Sequence, residues 1–131
     1  MTIGKISGFL GSIPGGASIT AWTFAGPTTT LTTTAGQSLT GVAEAPLGLS
    51  SGGPEPFQYD LCFQPNAGGT VSNFTSGNYS IGQATTARHT FTAAASVRPG
   101  FGTWKVGYCT FTQGAALDNN DYVNGWVMVT N

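Results

Sequence analysis

Charge is scarce in this chain. Lys, Arg, Asp and Glu together make up 7% of its 131 residues, where a soluble domain usually carries about a quarter. Four basic residues face five acidic ones, for a net charge of −1. Nothing here could track a phosphate backbone, so nucleic acid is excluded as a partner. No apolar run approaches the ~20 residues of a membrane-spanning helix, and no membrane insertion is expected. Heptads are absent, which excludes coiled coils and helical bundles. There are two cysteines and one histidine, and CxxC spacing is absent, which argues against a zinc knuckle or a redox motif. Residues 1–10 contain one Lys and only short apolar stretches, with no signal-peptide core.

What the chain does hold is β-type material. Aromatics total 11%, too many for a disordered segment, and Thr, Val, Ile, Phe, Tyr and Trp favour strands. Strands are expected at 17–24, 28–34, 38–45, 57–63, 70–74, 78–81, 89–97, 103–111 and 122–130. Residues 11–16 (GSIPGG) and 46–56 read as loops. Segment 57–63 alternates cleanly, with Phe57, Tyr59, Leu61 and Phe63 on one face and Gln58, Asp60 and Cys62 on the other. The many short strands and Gly/Pro turns predict one all-β domain over 1–131, an antiparallel two-sheet sandwich. In the last strand Val123, Gly125, Val127 and Val129 share the expected core side. Tyr122, Asn124, Trp126 and Met128 share the other, which needs its own cover: a subunit interface or a long packed loop.

Few side chains are available for chemistry. Cys62 and Cys109 are two reduced core residues or a bridge between strands, the bridge being the preferred reading. His89 stands alone, with no GxSxG elbow to serve it, and reads as a surface residue at a strand end. No metal site or cofactor is expected. Asp118-Asn119-Asn120-Asp121-Tyr122 is an Asx-rich turn, a polyol site or a cluster of calcium-type oxygens. Asn78, Tyr79 and Ser80 precede Thr85, Thr86 and Arg88. There an Arg fork could hold sugar hydroxyls while an aromatic covers an apolar sugar face; a solvated Arg is the plain alternative. Gln58, Tyr59 and Asp60 form a third group, in which Tyr59 fits the core. Asn73-Phe74-Thr75 and Asn78-Tyr79-Ser80 match glycosylation sequons.

The C-terminal part resembles a known family. NYSIGQATTARHTFTAAASV, then WKVGYCTFTQGAALDNNDYVNGWVMV, preceded by FQYDLCF, is similar to bacterial TNF-like lectin domains that bind fucosides. The order is a Tyr-Ser turn, an Arg before a Thr/Phe strand, a Trp-Lys strand, and an Asp-Tyr loop into a terminal aromatic strand. The ending is also similar to C1q-like jelly rolls. The resemblance implies a TNF-like jelly roll assembled as a homotrimer, with sugar sites between protomers. It places Tyr59, Asn78, Tyr79, Arg88, Asp118 and Asp121 near sugar-contacting positions, with Thr85 and Thr86 approximately aligned. Asn78 stands where Thr is typical and the acidic loop is rearranged as DNND, departures that bear on which sugar before they bear on the fold.

Three functions follow as expectations. The first is a lectin for fucose or fucosylated glycans, without enzymatic activity. The second is a structural trimeric head domain of a surface, spore or phage-fibre protein. The third is a glycosidase using Asp118 and Asp121. A cell-surface or secreted setting is compatible with the first two.

Overall fold

A computed structural model describes residues 2–131. The chain is an all-β sandwich of two antiparallel sheets, consistent with a jelly roll. Its strands are β1 (Ile3–Phe9), β2 (Thr23–Thr33), β3 (Ser38–Leu47), β4 (Glu55–Pro65), β5 (Ser72–Asn73), β6 (Ser80–Ala84), β7 (His89–Val97), β8 (Gly102–Phe111) and β9 (Tyr122–Thr130). One sheet runs β1-β9-β3-β7. The other runs β2-β8-β4-β5, with β6 also pairing β4. The only helical element described is a 3₁₀ turn at Ser76–Asn78.

Period-two alternation supplies the core. Ile6, Leu39, Leu47, Val123 and Val127 from one sheet meet Leu61, Val106 and Tyr108 from the other, all fully buried. The Tyr108 hydroxyl donates to the Phe91 carbonyl at 3.0 Å and so ties β8 to β7 across the sandwich. Burial pushes this phenol's pKa well up, and the charges of Tyr59 and Asp60 add to the shift. Cys62 and Cys109 are joined by a disulfide, with Cα atoms 5.7 Å apart. They lie diagonally on neighbouring strands, since Asp60 pairs with Cys109 and Cys62 with Gly107.

The structure departs from the sequence reading most in three places; elsewhere strands move by a few residues, as 70–74 shortens to Ser72–Asn73 and 78–81 shifts to Ser80–Ala84. β1 lies in 1–10, where no strand was expected. Its inward positions are Gly4, Ile6 and Gly8, and two glycines in three hide the apolar alternation. A Cβ at Gly4 would come within 2.6 Å of the Thr29 side chain, so the glycine lets β1 close against β2. Second, 17–24 is not a strand until Thr23. The Ile19 amide instead bonds back to the Gly16 carbonyl, 3.1 Å, in a turn. Third, 28–34 joins Phe24 through a bulge to make one long strand. Of the two covers expected for the outer face of β9, a subunit interface or a packed loop, no loop among the described residues supplies one. Trp126 is 40% exposed and Ile3, beside it on β1, 61%.

Candidate functional site at the loop end of the sandwich

The loops β3–β4, β6–β7 and β8–β9 meet at one end of the sandwich. Backbone bonds hold them together: Leu49 N–H to the Thr85 carbonyl at 2.8 Å, Asn119 N–H to Gly48 at 3.1 Å, and Asp121 N–H to Pro46 at 3.2 Å. All four DNND side chains are also engaged. Asp118 accepts from the Ser50 amide (2.7 Å) and hydroxyl (2.6 Å). Asn119 accepts from Arg88 Nε at 2.8 Å and donates toward the Thr86 carbonyl at 3.4 Å. Asn120 donates to the Gly11 and Leu117 carbonyls and accepts from the Gly48 amide. Asp121 accepts from an Arg88 terminal nitrogen at 3.4 Å.

Arg88 is therefore braced on two sides while staying open to solvent. Its side chain is 45% exposed and that of Asp121 47%. A guanidinium has five N–H donors, and this one spends two on its braces. Thr85 turns its hydroxyl onto the Ala87 carbonyl at 3.1 Å, which shapes the approach to Arg88. Thr86 is exposed beside it.

Ser50 lowers the Asp118 carboxyl below the usual range, its hydroxyl contributing most and its backbone N–H next. A carboxyl depressed in the folded state adds stability above its ordinary pKa, and that contribution is lost as pH falls through the depressed value. Replacing Ser50 by Ala removes the larger cause. The Asp118 titration midpoint, followed by NMR, is expected to move up toward an ordinary aspartate. The Ser50→Ala loop end is then expected to loosen at a higher pH than wild type, read as faster amide exchange at 48–50.

The structure thus gathers Thr85, Thr86, Arg88, Asp118 and Asp121 at one end. Within one protomer it does not bring Tyr59, Asn78 or Tyr79 to them. The five residues of β6 separate Asn78 and Tyr79 from Thr85, about 17 Å of extended chain. Tyr79 packs instead toward Trp22, ring centroids 6.4 Å apart. Tyr59 leans on the core among Phe57, Phe91 and Tyr108. His89 is exposed at the start of β7.

Asp60 has a structural task the sequence did not signal. It is 3% exposed. It accepts from Leu61 N–H, Thr75 N–H, the Thr75 hydroxyl and Asn73 Nδ2. Asn73 Nδ2 also donates to the Ser76 carbonyl at 2.6 Å. In the sequon Asn73-Phe74-Thr75, the acceptor nitrogen is thus committed to holding the β5 turn. Ser50 was missed as a partner of Asp118 because 68 residues separate them and nothing local marks the pairing.

No protein-family model matches the chain, and no curated protein matches it significantly.

Proposed function

We propose that the chain is a carbohydrate-binding protein, a TNF-like lectin for fucose or fucosylated glycans, acting as a homotrimer with shallow sites at the seams between copies. The observation that carries this reading is Arg88, held by Asn119 and Asp121 yet open to solvent. A braced guanidinium loses little freedom on binding and offers its remaining donors to adjacent hydroxyls. Asp121 and Asp118 keep acceptor lone pairs for the same ligand. A neighbouring copy would supply the aromatic cover that Tyr59 and Tyr79 do not give within one protomer. Three weak sites on one trimer would gain avidity on clustered glycans.

Glycoside hydrolysis fits less well. A glycosidase acid needs a raised pKa, whereas the Asp118 carboxyl is lowered and Asp121 is paired with Arg88.

The test is a fucoside-bearing glycan array read beside the mass in solution by light scattering. Arg88→Ala is expected to weaken the array signal at least about tenfold, roughly 1.4 kcal/mol, with the mass unchanged. The wild-type signal is expected to be the same with chelator. No signal from wild type, or full signal from Arg88→Ala, defeats the reading.

A structural head domain is the second reading, favoured by the open apolar face. Ile3, Trp126 and Met128 line it beside Lys5. Glu44 lies on the same face, because it pairs with Asn124, an outward residue of β9. A Lys and a Glu flanking an apolar patch suit contact with another copy. Trp126→Glu is expected to give a monomer. Assembly through this face with silence on every glycan would favour the structural reading.

A further inference from the structure

We propose a second carbohydrate site, on the outer face of the five-stranded sheet, built from Phe111, Gln58, Ile81 and Gln113, with Trp22 packed against Phe111. It does not rest on the Arg88 cluster.

The sheet register places these residues together. Gln58 on β4 pairs with Phe111 on β8 and with Ile81 on β6. Phe57 points into the core, so Gln58 and both neighbours point outward. Trp22 immediately precedes Thr23, which pairs with Thr110, and so arrives beside Phe111. The Trp22 and Phe111 rings meet edge-on at 5.8 Å. Tyr79 leans in from the far side, tilted 58° to Trp22. Ile81 is 63% exposed. Phe111, Gln58, Ile81 and Gln113 line a groove of about 210 Å³. That is room for one ring, since drug-sized ligands usually occupy about 300–1,000 Å³.

The chemistry of the groove selects its occupant. Phe111 and Ile81 offer apolar surface. Gln58 sets an amide in the floor, between a phenylalanine and an isoleucine that cannot bond to it. Gln113 stands at the edge, fixed by a 2.9 Å bond from its Nε2 to the Ile19 carbonyl, with its carbonyl oxygen left as an acceptor. A ligand without polar groups would cover the floor amide and give it no partner. A pyranose satisfies both demands, with C–H groups against the apolar surface and hydroxyls against the amides. Charge narrows the class further. No basic residue lines the groove. The carboxylate at its end is Glu55, 2.8 Å from where a Cβ on Gly114 would stand. Acidic sugars and phosphates are repelled, and the ligand is a neutral hexose or deoxyhexose ring.

The experiment is an NMR titration of the full chain with methyl glycosides of glucose, galactose, mannose and fucose, carried into the millimolar range. At least one is expected to shift the Gln58 and Gln113 side-chain amides with saturation. Ile81→Arg fills the groove from an exposed position and is expected to weaken this binding about tenfold or more. Gln58→Leu removes the floor amide and is expected to do the same, with the spectrum otherwise folded. Arg88→Ala is expected to leave it unchanged, which separates this site from the one at the loop end. Shifts confined to Thr86, Arg88 and Asn119 overturn the second site and leave the first standing. No shift with any glycoside, or shifts that Ile81→Arg does not weaken, also overturn it. So do groove shifts that follow protein dilution without sugar, which would mean that another copy covers the face.

Discussion

Replacing Cys62 and Cys109 together by Ala is expected to lower the free energy of unfolding by about 4 kcal/mol, the loop-closure entropy of the cross-link. The bridge spans 47 residues and ties β4 to β8. Both cysteines are fully buried, so alanine exchanges each thiol for a small apolar group and adds no stranded polar atom. The midpoint of thermal unfolding is expected to fall by about 10–15 °C in a chain of this size. Wild type unfolded in the presence of a reductant is expected to show the same drop, and the double variant to ignore the reductant. A double variant with the wild-type midpoint would show that the bridge does not stabilise the fold.

Asp60→Ala is expected to cost about 3–4 kcal/mol, because hydrogen bonds to a buried charged acceptor are worth about 1.5–3 kcal/mol each and the donors left behind are partly buried. Among the described residues no Lys or Arg pairs with this carboxylate; four hydrogen-bond donors satisfy it instead. Without it, both Thr75 donors lose their acceptor and Asn73 keeps only the Ser76 carbonyl, leaving the β5 turn to its short pairing with β4 and the buried Phe74. Denaturant unfolding measures the loss. Amide exchange is expected to rise first at 72–76, ahead of the β4–β8 ladder. Asp60→Asn keeps one acceptor oxygen and is expected to fall between wild type and Ala. An Asp60→Ala protein as stable as wild type would show that the carboxylate network contributes nothing net.

How much of this was written in the sequence depends on how each residue earns its place. β7 and β9 follow directly from alternation: the inward residues of both are apolar or glycine, and in β7 the outward ones are mostly polar. β1 does not, because glycine occupies two of its inward positions. Trp22 reads like part of a strand, yet it stands in the approach to β2, packed edge-on against Phe111. At the loop end, Arg88 and Asp121 were recognisable as scarce charges in polar surroundings. Their brace, Asn119, and the Ser50 clasp on Asp118 were not, because these contacts depend on how three distant loops are delivered to the same end. Tyr79 shows the reverse. Its closeness in sequence to Thr85 and Arg88 suggested one site, and an intervening extended strand carries it away.

The pairing of β1 with β9 has a consequence for biosynthesis. Within its sheet β1 neighbours β9 alone, with seven register pairs from Ile3–Met128 to Phe9–Tyr122. As the ribosome delivers the nascent chain, β1 emerges before the other strands described here and its partner after them, so this edge cannot zip until β9 has cleared the exit tunnel. Ile6, fully buried in the finished sheet, waits open until then. A chaperone with affinity for extended apolar segments would find β1 open to it throughout that interval.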